Sequence, residues 1–172
     1  MLSEKNPYQK LKRKPMTDEA IGWIELRTKL QIQDPSGDKL TRDIIKVVNN
    51  IDVGEDKTIL DVGCYGGWLY HFIGHKLDYH GIDNWPQAIQ AAHLMFPPER
   101  FTLEKLQDSK RTADIVWATQ LHPETDVASI LDKLAAMANN RVFFTFDHAE
   151  RDIPPNLFSK IEYKYGVFEG TK

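Results

Sequence analysis

The sequence predicts a three-layer α/β domain built on a doubly wound, mostly parallel β-sheet with a shortened antiparallel edge at its C-terminal end. Apolar segments of strand length alternate with segments of helix length over residues 58–148, which is typical of a parallel sheet covered on both faces. A glycine-bearing turn at residues 63–67 follows the first strand and leads into a helix. In such sheets ligands bind beyond the carboxyl ends of the strands.

The individual elements follow in chain order from their local patterns. Two extra N-terminal helices come first, one capped by Thr17 and a second over residues 38–50 with apolar side chains at helical spacing. The core strands are predicted at residues 58–62, 79–82, 101–106, 113–118 and 141–146, with helices between them at residues 66–76, 86–95 and 124–138. Residues 161–165 alternate like one edge strand, and Val167 and Phe168 leave room for a second stub.

The chain is expected to form one domain preceded by an arm. Residues 1–15 are basic and are predicted to be a solvated, flexible arm, because no aromatic side chains interleave the lysines as they would in an RNA contact. Residues 16–172 form the domain, with N-terminal helices at 16–52, a cofactor-binding core at 58–148, and a C-terminal loop and edge strand at 149–172.

The bulk composition excludes several classes of protein. A net charge of −3 gives the chain no general attraction for nucleic acid or for an anionic membrane. The single cysteine, Cys64, excludes an intramolecular disulfide and fits a reducing cytoplasm. No apolar run has the length of a signal peptide core or of a membrane span. We therefore expect a cytoplasmic protein.

The glycine turn and two acids predict the kind of cofactor. The dinucleotide pattern G-x-G-x-x-G placed on Gly63 requires glycine at 65 and 68, but the chain has Tyr65 and Trp68. Asp61, at the end of the first strand, would repel a pyrophosphate and attract the ammonium of an amino-acid tail. Asp83 follows twenty-two residues later, at a spacing that suits ribose hydroxyls. These charges favour S-adenosylmethionine over NAD.

With this pattern, residues 58–148 resemble the class I S-adenosylmethionine-dependent methyltransferases, which have a Rossmann-like fold. The matching segments are residues 60–67, 81–83, 113–116 and 142–144. The resemblance implies that Asp61 and the turn bind the methionine part and that Asp83 binds the ribose. The full implied set is Asp61, Gly63, Cys64, Tyr65, Gly66, Gly67, Trp68, Asp83, Asn84, Trp85, Lys105, Leu106, Thr119 and Gln120.

Within that set, Asn84 and Trp85 would flank the adenine, and Thr119 and Gln120 would lie beside the sulfonium. Two positions depart from the family pattern. Tyr65 stands where the family usually has glycine, so Tyr65 and Trp68 are expected to form walls of the pocket. An acid near the adenine remains open among residues 104–108, with a backbone contact at Leu106 preferred.

Methyl transfer depends mainly on positioning and desolvation, so the family resemblance names no catalytic residue. His122 follows the fourth strand, and Asp147 and His148 follow the fifth, at the edge where substrate would bind. Each could accept a proton from the acceptor. The structural alternatives are a helix cap for His122 and a solvated loop position for His148.

Other sites are weaker hypotheses. His71 and His75 have the spacing of metal ligands but lack an evident third ligand, so no metal is expected. Cys64 is expected to be a buried turn cysteine rather than a nucleophile. The ribose 2′-O RNA methyltransferases have a proline where Tyr65 stands and an acid where Thr119 stands, and the signature of the amino-methylating DNA enzymes is missing. The nucleic-acid alternatives are therefore dropped.

The sequence thus predicts a methyltransferase that transfers a methyl group from S-adenosylmethionine to a small molecule. The alternative is a cofactor-binding module or partner-dependent subunit without activity of its own, because the C-terminal end of the chain is short. An open sheet edge could then be completed by a second copy of the chain.

Overall fold

The computed structural model describes residues 19–119, 126–145, 153–154, 156–164 and 167–172. The helices are α1 (Ala20–Gln33), α2 (Lys39–Asn50), α3 (Trp68–Ile73), α4 (Pro86–Met95) and α5 (Val127–Met137), with short 3₁₀ turns at Pro35–Gly37 and Pro98–Arg100. The strands are β1 (Thr58–Val62), β2 (Asp78–Asp83), β3 (Phe101–Leu103), β4 (Ala113–Ala118), β5 (Ala138–Phe144), β6 (Lys160–Lys164) and β7 (Val167–Thr171). The predicted arm and the predicted start of the first helix lie outside the described residues.

The seven strands form one mixed sheet in the order β3-β2-β1-β4-β5-β7-β6. Strands β1 to β5 are parallel, and β7 is antiparallel to both of its neighbours, β5 and β6. The prediction of a mostly parallel sheet with a short antiparallel edge is confirmed. The structure adds a full-length β7 where the sequence indicated only a stub, and it places β7 inside the sheet so that β6 is the outer strand.

Helices cover both faces of the sheet, as predicted. On one face, α2, α3 and α4 pack on the inner strands through a core that includes Ile44, Leu69, Ile89 and Trp117. On the other face, Leu131 and Leu134 of α5 pack in one core with Leu60 and Val142. Phe158 and Phe168, the latter from β7, extend this core. The three layers leave the carboxyl ends of the parallel strands together at one edge.

Several predicted boundaries differ from the observed ones for local reasons. Strand β3 ends at Leu103 rather than near residue 106, because Lys105 accepts backbone hydrogen bonds from Asp108 and Ser109 and the chain turns there. Helix α3 begins later than predicted because Gly67, with φ +79°, lies outside the helix as its N-cap, and it ends earlier, at Ile73, with Gly74 as its C-cap. Strand β5 begins at Ala138, directly after α5.

No helix in the described ranges is both long enough and apolar enough to cross a membrane.

Candidate cofactor site

The turn after β1 is fixed to the end of β2 by backbone hydrogen bonds. The amides of Gly63 and Cys64 both donate to the carbonyl of Ile82, at 2.9 and 3.1 Å. Gly63 and Gly67 have positive φ angles of 73° and 79°, which glycine adopts at little cost. A Cβ on Gly67 would also lie 2.6 Å from the ring of Phe101, so both conformation and space require glycine there.

Asp83, at the end of β2, connects this turn to the start of α4. One carboxylate oxygen accepts from the amide of Tyr65 at 2.9 Å, and the other accepts from the amide of Trp85 at 2.8 Å. Burial raises the pKa of Asp83, and these backbone hydrogen bonds oppose that shift. Because each carboxylate oxygen can accept more than one hydrogen bond, the group can also receive ligand hydroxyls.

Asp61, near the end of the neighbouring strand β1, is the second carboxyl group of the site. Its side chain is buried and accepts a hydrogen bond of 2.6 Å from the hydroxyl of Tyr79. Burial raises the pKa of Asp61 to about 7, the Tyr79 hydrogen bond lowers it, and the charge of Asp83 raises it further. A cation placed beside this carboxylate would stabilise its ionised form.

Tyr65 is a non-glycine residue in a left-handed conformation, with φ 54°. Its ring lies between two tryptophans, with centroid distances of 6.3 Å to Trp23 of α1 and 5.9 Å to Trp85. The guanidinium of Arg27 lies 5.6 Å from the centroid of the same ring. Tyr65 therefore joins α1 to the turn and to the start of α4, and its role as a wall of the cofactor pocket stays a prediction.

Helix α1 contacts the turn directly, which the sequence did not indicate. A Cβ built on Gly66 would lie 2.0 Å from the hydroxyl oxygen of Thr28, so this hydroxyl lies against the turn backbone. Trp23, Arg27 and Thr28 of α1 were not among the predicted site residues. The spacing of four residues between Trp23 and Arg27, which places them on one helix face, was the available signal.

Cys64 of the turn and Trp68, the first residue of α3, face the core instead of the site. The side chain of Trp68 is 2% exposed and packs against Phe72, with ring centroids 6.0 Å apart, so the prediction that it walls the pocket is wrong. Trp68 points inward because it begins α3, whose apolar face covers the sheet. Cys64 is also buried, and this burial raises the pKa of its thiol, which agrees with a structural turn cysteine.

Asn84 directly follows β2 and is exposed, and the other described residues of the predicted site lie at the ends of β3 and β4. Thr119 follows β4, is buried, and accepts a hydrogen bond of 2.7 Å from the indole of Trp117. Leu106 packs against the core, whereas Lys105 is exposed in the turn after β3. Glu104, one of the acids left open above, forms an ion pair of 2.9 Å with Arg111.

Four predicted residues, Gln120, His122, Asp147 and His148, lie outside the described residues. His71 and His75 are exposed on and just after α3. Within the described part of the chain, no group of three or more His, Cys, Asp and Glu side chains could hold a metal ion.

The arrangement suits a ligand with a cationic group at one end and vicinal hydroxyls further along. Asp61 and Asp83 stand on adjacent parallel strands at the same edge of the sheet, and the glycine turn runs between them. Burial penalises the charge of each carboxyl group and so raises its pKa, and a bound cation or hydroxyl pair would offset that penalty. The residues present therefore fit the amino-acid tail and the ribose of S-adenosylmethionine.

Comparison with known proteins gives similarity in structure only. No protein-family model matches the sequence, and no curated protein sequence is significantly similar to it. The fold is similar to magnesium protoporphyrin IX methyltransferase from Synechocystis PCC 6803 with bound S-adenosylhomocysteine (SAH), with a TM-score of 0.67 and 14% identity over 88% of this chain and 94% of that chain. The S-adenosylmethionine-bound form of that enzyme gives a TM-score of 0.59 and 13% identity over 93% and 99% of the two chains.

An O-methyltransferase family protein from Burkholderia thailandensis gives a TM-score of 0.61 and 13% identity over 95% of this chain and 66% of that chain. At such identities the similarity establishes the fold and leaves the substrate open. The strand order, the glycine turn and these neighbours together show that the chain has the fold of the class I methyltransferases.

Proposed function

We propose that this protein is an S-adenosylmethionine-dependent methyltransferase that acts on a small-molecule acceptor. The observation that carries the proposal is the pair Asp61 and Asp83, a buried and a partly buried carboxyl group at adjacent strand ends on either side of the glycine turn. The similar structures with bound S-adenosylmethionine or SAH support the same cofactor.

The roles of the described residues follow from their chemistry. Asp61 would accept the ammonium of the amino-acid tail, and Asp83 would accept the ribose hydroxyls while keeping its bonds to the backbone of the turn and of α4. Asn84 and Trp85 would flank the adenine, and the backbone at Leu106, near Lys105, would meet its edge. The turn residues 63–67 would bring backbone amides close to the tail.

When bound, S-adenosylmethionine supplies an electrophilic methyl group on a sulfonium sulfur. The work of the protein is to align the acceptor with that group and to exclude water from it. We propose that Thr119 and Gln120 lie beside the sulfonium. His122, Asp147 and His148 are the proposed proton acceptors, for acceptors that must lose a proton.

A small acceptor is favoured over a macromolecule by charge. The net charge of −3 provides no general attraction for nucleic acid. The Synechocystis enzyme of similar fold is named for a small-molecule substrate. We further propose a cytoplasmic location, which the single cysteine supports.

The activity is tested by incubating the pure protein with S-adenosylmethionine and a panel of small acceptors, and by measuring SAH. We expect SAH to accumulate with at least one acceptor and to fall strongly for Asp83→Asn. A reaction without acceptor serves as the control. Persistent absence of SAH while cofactor binding is intact would contradict the enzyme assignment for the isolated chain.

The second candidate is a cofactor-binding subunit that needs a partner, and the outer strand β6 favours it. Ile161 and Tyr163 on this strand are 42% and 59% exposed, and no described strand pairs with its outer edge. A second copy of the chain could pair there. Light scattering across a concentration series measures the molar mass and shows whether the protein is a monomer. A monomer that makes SAH needs no such partner, which would exclude this second candidate.

A further inference from the structure

Tyr79 of β2 is a buried tyrosine whose hydroxyl meets an acid of the candidate cofactor site. Its side chain is 1% exposed, and the hydroxyl donates a hydrogen bond of 2.6 Å to Oδ2 of Asp61. Among the described residues, no other group hydrogen-bonds to this hydroxyl or to this carboxyl group. The two side chains therefore form an isolated polar pair inside an apolar core.

The register of β1 and β2 directs the hydroxyl to the acid. Asp61 lies opposite Gly81, and Tyr79 lies two residues before Gly81 on the same face of β2. A Cβ on Gly81 would lie 2.9 Å from the ring of Phe101, so glycine keeps this crowded space open. The Tyr79 ring packs against Tyr70 and Phe101, with centroid distances of 5.3 and 5.7 Å. The orientation of the hydroxyl is thus fixed by its surroundings.

Packing accounts for the ring of Tyr79 but not for its hydroxyl. Phenylalanine would make the same ring contacts without burying a polar group. The hydroxyl instead acts on the charge of its partner: burial raises the pKa of Asp61 to about 7, and the hydrogen bond from Tyr79 opposes that shift. A donor to a carboxyl group favours its ionised form, which is the form that binds a cation.

We propose that Tyr79 is a positioning residue of the cofactor site, which orients the carboxylate of Asp61 and stabilises its ionised form for the ammonium group of the cofactor tail. This inference rests on the proposed function. Tyr79 occupies one carboxylate oxygen, which leaves the other for the ammonium. Because Asp61 holds a proton below about pH 7 in the ligand-free protein, binding of an ammonium there releases that proton. Tyr79 therefore sets the pH range in which the tail binds.

The other titratable groups near Asp61 do not obscure this effect. Among the described residues, those that act on Asp61 besides Tyr79 are Asp83 of β2 and Cys64 of the turn. Burial raises the pKa of Tyr79 and that of Cys64 well above their usual ranges, so both stay uncharged near neutral pH. Burial also raises the pKa of Asp83, but this group is unchanged in a variant of Tyr79. A comparison of wild type and variant therefore isolates the hydroxyl.

The test is calorimetric titration of wild type and Tyr79→Phe with SAH, which carries the amino-acid tail, and with 5′-methylthioadenosine, which lacks it. Wild-type affinity for SAH should rise up to about tenfold per pH unit below about pH 7 and then level off. Tyr79→Phe should bind SAH about tenfold more weakly at about pH 6, because a hydrogen bond to a charged group is lost. This difference should narrow above about pH 8, where Asp61 ionises in both proteins.

Two comparisons separate this role from a general effect on packing. Both proteins should bind 5′-methylthioadenosine equally at each pH. Tyr70→Phe is the matched control, since its ring packs on Tyr79 but Asp61 accepts no hydrogen bond from it, and it should leave both pH profiles unchanged.

A weakening by Tyr79→Phe that is the same at every pH, that is equal for both ligands, or that is absent would overturn the role of Tyr79 alone. Wild-type protein that binds neither ligand would overturn the proposed function, and this inference with it.

Discussion

The hydroxyl of Tyr79 donates a hydrogen bond of 2.6 Å to the carboxyl of Asp61, across the neighbouring strands β2 and β1. Both side chains are buried, and burial raises the pKa of the tyrosine well above its usual range and that of the acid to about 7. The candidate cofactor site therefore contains a carboxyl group that titrates near neutral pH in the ligand-free protein.

Asp61 should make the stability of the ligand-free protein fall as the pH rises from about 4 to 7. Its pKa is about 7 in the folded state and near its ordinary 3.8 in the unfolded chain. In this window the folded state retains a proton that the unfolded state has lost, so the free energy of unfolding decreases, by up to about 4 kcal/mol. Urea unfolding of the wild type and of Asp61→Asn at several pH values measures this contribution of Asp61 to the free energy of unfolding.

The asparagine variant should show a clearly flatter decrease over the same window. The pKa of Asp114 is shifted in the opposite direction, to about 2, chiefly by the backbone amide of Lys57. Its contribution to the stability of the protein is therefore lost only below about pH 4. Because burial raises the pKa of Asp83 as well, the difference between the wild-type and Asp61→Asn curves above pH 4, and not the decrease itself, measures the contribution of Asp61. Parallel curves for the two proteins would refute the role of Asp61.

Gly66→Ala should destabilise the protein by about 1–3 kcal/mol, because the new methyl group would lie 2.0 Å from the hydroxyl of Thr28 and 3.0 Å from Ile24. Adding Thr28→Ala should recover part of this loss, which a double-mutant cycle in urea would detect as a coupling energy. Gly22→Ala is the control. Nothing lies within 4 Å of its Cβ position on α1, so it should stabilise the protein by about 0.5–1 kcal/mol.

Tyr65→Gly should lower the free energy of unfolding by about 2 kcal/mol. Removing the left-handed strain gains about 1 kcal/mol, but loss of the ring contacts with Trp23 and Trp85 costs more. Asn156, also at positive φ (67°), is exposed, so Asn156→Gly should change stability by less than about 0.5 kcal/mol. A more stable Tyr65→Gly variant would mean that α1 does not depend on this residue.

The sequence was sufficient to place the parallel core and the acid after β2. A short apolar run of strand length predicts a strand that is buried on both faces, as in β4, whose bounds were predicted correctly. Asp83 was found from its spacing to the glycine turn, and the structure joins it to that turn through the amide of Tyr65.

The contacts of α1 and the pairing of β7 could not be predicted in the same way. Helix α1 buries Thr28 and Gln31 beside Ile24, so polar residues interrupt its apolar face and the pattern does not show which side meets the turn. Trp68 was misassigned because a residue that opens a helix can face either the core or the ligand. The position of β7 between β5 and β6 depends on long-range pairing, which local alternation does not encode.

Titration calorimetry with S-adenosylmethionine tests the central claim most directly. Wild-type protein should bind it at one site per chain and in preference to NAD, and Asp83→Asn should weaken that binding by about 1–3 kcal/mol through loss of charge-assisted bonds. Asp78→Asn is the matched control, since Asp78 is an exposed acid at the opposite end of the same strand, paired with Arg100. Absence of S-adenosylmethionine binding, or tighter binding of NAD, would contradict the account.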